Sequence, residues 1–208
     1  SSLITLLWML AIINAFNLLD NMDGLTTGVG LIACFICFIV TSQQHQTFTS
    51  IALLAFAGAL LGFLRYNFNP AKIFLGDAGS MFIGYMLAVL TITASYYKEG
   101  FPTHLSVVMP ILILAVPIFD TLSVISIRIK RKEPIFGGDK NHFSHRLVAL
   151  GFSQRGAVLF IYLITFCLGI TATLLTQVNI LGGIIIFIQA ALVLSIIALL
   201  ESQRKRAQ

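Results

Sequence analysis

The polar residues of this chain are gathered into short intervals, and long unbroken apolar stretches run between them. Seven such stretches follow one another, at about 1–16, 24–41, 49–66, 79–97, 104–127, 157–176 and 178–200. Apolar and polar positions do not alternate within them, which excludes strands as the main element. A helix that crosses a bilayer needs about 20 residues, within a range of roughly 17–25. Six stretches meet that range and the first falls short. Only helices and closed barrels satisfy every backbone group in hydrocarbon. The pattern therefore predicts an all-α integral membrane protein with about seven transmembrane helices. With no linker, low-complexity tract or repeat, it reads as a single polytopic membrane domain over 1–208.

Composition narrows the class. Of the 208 residues, 58% are apolar and 10% charged, where a soluble domain carries about 25% charged residues. A disordered chain, a nucleic-acid-binding protein and an ordinary cytosolic protein are excluded, and the partner of most of the surface is the lipid bilayer. The bases fix an orientation, because Lys and Arg stay preferentially in the cytoplasm. Alternating the connections puts 17–23, 67–78, 128–156 and the C-terminal tail on one side. That side holds Arg65, Lys72, Arg128, Lys130, Arg131, Lys132, Lys140, Arg146, Arg155, Arg204, Lys205 and Arg206, and the other holds Lys98 alone. Cys34, Cys37 and Cys167 lie inside apolar runs and read as buried small hydrophobes. Gly58 and Gly62 have the spacing that lets two helices approach closely. The chain opens inside an apolar run with no initiator Met and no signal-peptide n-region, as a fragment would.

Three polar clusters carry candidate chemistry, and all fall on the predicted cytoplasmic side. In the first, Asn14, Asn17, Asp20 and Asp23 recur every three residues, which on a helix makes one polar stripe, closed by Gly24. A solvated helix cap is the alternative. The second runs from Asn67 to Ser80, and Pro70, Gly76 and Gly79 mark it as an ordered turn. Asp77, just before the fourth helix, can cap that helix or bind Mg²⁺, a hard cation that favours oxygen and phosphate ligands. Lys72 can face a phosphate, and Phe74 can stack on a nucleobase. The third runs from Gly137 to Leu147, with Asp139, Lys140, His142, His145 and Arg146. Zinc would need further ligands, so this mix suits phosphate or pyrophosphate, with a merely solvated basic loop as the alternative. Asp120 lies within the fifth helix, where an ionisable group is costly and marks a candidate functional position.

At these motifs the sequence resembles the polyprenyl-phosphate N-acetylhexosamine-1-phosphate transferases (glycosyltransferase family 4). Asn14 to Leu25 is similar to the family's N-x-x-N-x-x-D-G-x-D-G-L, and Pro70 to Ser80 to its P-A-x-x-F-x-G-D-x-G-S. The segment from Asp139 to Leu147, with Pro117-Ile-Phe-Asp120-Thr before it, resembles D-x-x-H-x-H-H-R-L. The D-K-x-H form and Gly151-Phe-Ser153-Gln-Arg155 look more like the undecaprenyl-phosphate GlcNAc-1-phosphate branch than like phospho-MurNAc-pentapeptide translocase.

The resemblance implies a Mg²⁺-dependent enzyme (Mn²⁺ as the substitute ion) of the bacterial inner membrane, serving wall or surface-polysaccharide synthesis with its site facing the cytoplasm. A polyprenyl (undecaprenyl) phosphate would attack the β-phosphorus of a UDP-N-acetylhexosamine, releasing UMP. Asp77 would hold the metal and Phe74 would contact uracil. Asn17, Asp20 and Asp23 would line the nucleotide site, with Asn14 on the same stripe. His142, His145 and Arg146 would hold phosphates or sugar, and Asp120 would stand behind them. The pattern departs from the family at two positions: Asn21 stands where Gly is usual, and Ser144 replaces the middle histidine. The family's aspartate-rich D-D-x-x-D motif has no counterpart here and is expected in an N-terminal part that precedes this segment. A transporter of a polar or anionic solute and an inactive remnant are the competing readings. The sugar, the polymer served and homodimer formation stay open.

Overall fold

The computed structural model describes residues 2–132, 134 and 142–204. Of these, 81% are helical and none is in a strand. Helices α1 (Ser2–Leu19), α2 (Leu25–Gln43), α3 (Thr47–Asn67) and α4 (Gly76–Thr93) are joined by short connections. A 3₁₀ turn (His104–Val108) leads into α5 (Met109–Ile113) and α6 (Ala115–Arg131). A short α7 (Phe143–Ala149), then α8 (Gln154–Thr173) and α9 (Ile180–Arg204), complete the chain. Six of these helices are long and apolar enough to cross a membrane, and α5 and α6 with the preceding turn form a bent seventh. The protein is an all-α, multi-pass membrane protein.

Helix α2 is the hub, packed on α3 and α8, while α1 packs on α4 and α6 and α9 lies at the edge. Leu3, Leu7, Phe48, Leu61, Ile184 and Leu199 point outward, the arrangement expected when the surroundings are hydrocarbon. Inside the spans, the hydroxyls of Thr41, Thr91 and Thr165 donate to carbonyls one turn earlier.

Several expectations are revised. The first stretch is an 18-residue helix of full spanning length, because the apolar run extends to Leu19. The stretch 104–127 is not one helix but bends by 66° at Leu114. Pro117 lacks the N–H that would bond Ile113 and its ring would clash with that carbonyl, so the helix breaks just before it. Gly58 and Gly62 meet nothing within 4 Å, so they do not mediate packing within this fold. The close approach falls at Gly84 instead, where an added Cβ would stand 2.8 Å from Ile13 Cα on α1. Cys34 and Cys37 are buried as expected, but Cys167 is exposed on the outer face of α8.

Candidate functional site

The first cluster is not a continuous helical stripe. Helix α1 stops at Leu19, and Asp20–Gly24 form a tight turn held by Asp20 N–Asn17 O (3.2 Å) and Asn21 N–Leu19 O (2.8 Å). Gly24 closes it at φ 76°, in the left-handed region that favours glycine. Only Asn14 and Asn17 remain on the helix. Asn14 is exposed and donates to its own Leu10 carbonyl (2.7 Å), so it does not join the site. Asn17 does: its Nδ2 donates to Asp77 Oδ1 (3.3 Å) and Ser80 Oγ (3.2 Å). Asp77 lies in the first turn of α4 rather than ahead of it, where the positive end of the helix dipole favours a carboxylate.

Asp23 fastens the second cluster to the first. Its Oδ2 accepts from Asn69 Nδ2 (3.1 Å) and Ala71 N (3.0 Å). Arg155 Nε, at the start of α8, donates to Asn69 O (2.9 Å) and Oδ1 (3.2 Å), gripping the turn from the other side. Asn67, buried at the end of α3, accepts from Thr27 Oγ1 (2.9 Å) and donates to Ile73 O (3.0 Å). These ties shape a cleft of about 270 Å³ lined by Asp20, Asn21, Asp23, Asn67, Phe74 and Leu75. That is near the lower end of small-molecule pockets, roughly 300–1,000 Å³. Phe74 stands at its mouth, 77% exposed, with an open ring face. Burial raises the Asp20 carboxyl above the usual range; the Thr26 hydroxyl offsets part of this and the charge of Asp77 adds to it. A larger cleft of about 330 Å³, lined by Trp8, Thr91 and Val108 among others, is apolar and carries no carboxylate.

The third cluster is folded inward. Asp120 is 1% exposed, with Oδ2 against His142 Nδ1 (2.9 Å) and Oδ1 accepting from Phe143 N (2.6 Å). Both oxygens are spent within the protein, so Asp120 orients His142 and starts α7 rather than touching a substrate. Arg146 Nη2 donates to Ser123 Oγ (2.9 Å) on α6, and Ser144 Oγ donates to Asn21 Oδ1 on the α1–α2 turn. His145 is half-buried on α7 and Lys72 is exposed on the second cluster's turn. Lys140 lies outside the described residues.

The donor set suits a hard divalent ion. Asp20 and Asp77 are close enough to feel each other's charge, and Asn17 adds a carboxamide beside them. Among the described residues no group of three or more His, Cys, Asp or Glu side chains could enclose a metal.

Not assigned any role from sequence were Asn67, which lines the cleft, and Arg155, which clamps its turn. Asn67 opens the second cluster and Arg155 closes the Gly151–Arg155 segment, but nothing in the local sequence marks either as shaping the cleft.

Carboxylates, amides and an exposed aromatic thus surround one cleft at an end of the helical bundle. The sequence model of glycosyl transferase family 4 matches residues 1–95. A probable undecaprenyl-phosphate N-acetylglucosaminyl 1-phosphate transferase of Bacillus subtilis is 46% identical over 89% of this chain and 51% of its own length. A decaprenyl-phosphate N-acetylglucosaminephosphotransferase of Mycobacterium tuberculosis is 39% identical over 78% of this chain and 44% of its own. A phospho-N-acetylmuramoyl-pentapeptide-transferase of Levilactobacillus brevis matches only 42% of this chain, at 46% identity. Residues 1–95 thus match the family 4 glycosyl transferase model, and the relatives that align over most of this chain are polyprenyl-phosphate N-acetylglucosamine phosphotransferases. It spans about half the length of the curated relatives it matches.

Proposed function

We propose that the protein transfers N-acetylglucosamine 1-phosphate from UDP-N-acetylglucosamine to a polyprenyl phosphate at the cytoplasmic face of a bacterial inner membrane, in wall or surface-polysaccharide synthesis. The observation that carries this reading is the meeting of three sequence-distant segments at one end of the bundle. Asn17 reaches Asp77, Asp23 reaches Asn69, and Asn21 reaches Ser144. A transport pathway would need its ionisable groups near mid-bilayer, whereas Asp20, Asp23 and Asp77 stand at helix ends.

In this reading an oxygen of the lipid phosphate forms a bond to the β-phosphorus. The bond from that phosphorus to the α–β bridging oxygen breaks, and UMP leaves with the bridging oxygen and its electron pair. The product is a lipid-linked sugar diphosphate. Phe74 stacks on the uracil while Asn67 and Asp23 keep the cleft open beside it. Asp20, Asp77 and Asn17 are the residues that would hold Mg²⁺. When bound, the ion neutralises the diphosphate and the charge developing on the leaving group. His145, Arg146 and Lys72 offer cationic and hydrogen-bonding groups for phosphate and sugar, and Asp120 fixes His142 among them.

The test is to supply radiolabelled UDP-N-acetylglucosamine and undecaprenyl phosphate to membranes holding the protein expressed from its complete reading frame. A butanol-soluble labelled product and released UMP are expected. Asp77→Asn should abolish both. Normal turnover by that variant overturns the metal assignment, and no labelled lipid from the wild type overturns the reaction.

A further inference from the structure

The two residues at which the chain departs from the motifs it resembles, Asn21 and Ser144, are 123 positions apart and are hydrogen-bonded to each other. Ser144 is 1% exposed, so its hydroxyl depends on that acceptor. Asn21 is held at both ends of its carboxamide: Nδ2 donates to Leu18 O (3.1 Å) and Oδ1 accepts from Ser144. Asp120 and Ser123 anchor α7 to α6, through His142, Phe143 N and Arg146. The Ser144 bond instead anchors α7 to the turn that carries Asp20 and Asp23, and so fixes His142 and His145 relative to the carboxylates.

We propose that Asn21 and Ser144 are a matched positioning pair, setting the distance between α7 and the carboxylate turn, such that neither can be exchanged alone for the residue the family pattern carries. Asparagine with serine has as many non-hydrogen side-chain atoms as histidine opposite glycine. Exchanging both therefore conserves volume, which buried sites tolerate best. Exchanging one does not. Asn21→Gly leaves a void and a buried hydroxyl without its acceptor. Ser144→His drives an imidazole into the space the Asn21 carboxamide fills.

The kinetic arm of the test rests on the transferase reading; the stability arm does not. Asn21→Gly, Ser144→His, the double variant and Ser144→Ala are made in the protein expressed from its complete reading frame, in detergent. Each single exchange should lower the melting temperature and cut kcat by about tenfold, and the double should recover to within about threefold of wild type. Ser144→Ala, which creates no clash, should lower kcat about fivefold with less than a twofold change in KM for the UDP-sugar. Additive losses in the double variant, in both melting temperature and kcat, overturn the pairing. Coupled melting temperatures with an unchanged kcat for Ser144→Ala overturn the positioning role. Should the wild type make no lipid-linked product, the transferase reading falls while the melting temperatures still decide whether the two residues are matched.

Discussion

Asp120 gives one oxygen to His142 Nδ1 and the other to Phe143 N, with no path to solvent. Breaking a buried pair strands the remaining partner, typically at 3–5 kcal/mol. Asp120→Ala should therefore lower the melting temperature by about 6–12 °C, the shift about 3 kcal/mol produces in a chain of this size. Asp120→Asn keeps an acceptor for Phe143 N but turns an NH2 donor toward His142 Nδ1, so it should melt closer to wild type than Asp120→Ala while depressing kcat through a misoriented His142. Equal melting temperatures for the two variants would show that Asp120 is not the anchor of α7. Asp77 makes the opposite case. It is exposed and shares its region with Asp20, whose carboxyl its charge pushes up. Asp77→Asn trades that repulsion against the loss of a carboxylate at the positive end of α4, so its melting temperature in metal-free buffer should stay within about 2 °C of wild type. The same variant should lose turnover, and thermal scans with and without Mg²⁺ would separate the two effects.

The apolar runs made the helices legible, because nothing but continuous hydrophobicity is needed to place a span. What they could not mark is where a span breaks or which face of it packs. Pro117 sat in plain view within 104–127, yet a proline in a membrane helix need not break it; only the structure shows the 66° bend there. Gly58 and Gly62 had the expected spacing and proved to face outward, while the close contact fell to Gly84, which has no partner glycine at that spacing. Packing depends on which helix lies opposite, and local sequence does not carry that. The consequence is testable at this scale. Gly84→Ala places a methyl 2.8 Å from Ile13 Cα and 3.0 Å from Ile12 O, backbone atoms that cannot swing aside. It should force α1 from α4, at about 1–3 kcal/mol, and draw Asn17 away from Asp77. Gly58→Ala, in open space, should be neutral or stabilising by about 0.5–1 kcal/mol through helix propensity. Thermal unfolding of the two variants side by side would distinguish a packing glycine from an idle one.

Across the whole molecule, the site residues were legible as three motifs but not as one assembly, since their meeting depends on side chains 46 to 123 positions apart. The motif spacing also overstated the participants: Asn14 and Asp120 belong to the right segments and face their own helix or the interior. What joins sequence and structure here is sidedness. The hydrogen bonds from Asn17 to Asp77, from Arg155 to Asn69 and from Ser144 to Asn21 require the turns after α1 and α3 and the segments around α7 and the start of α8 to share one end of the bundle. Gln46 and Ser95 bond each other through Gln46 Oε1 and Ser95 N (2.8 Å), joining the turns after α2 and α4 at the other end. Of the bases, Lys72 and Arg155 go with the first group and Lys98 with the second. Single cysteines at 72, 155 and 98, in a background with Cys34, Cys37 and Cys167 replaced by alanine, should therefore divide cleanly. With the basic face inward, a membrane-impermeant maleimide added to intact cells should label position 98 alone, and inverted vesicles should expose 72 and 155. Labelling of 72 and 155 from opposite sides would separate the turn that carries Phe74 from the helix that clamps it, and no single cleft could then be built from both.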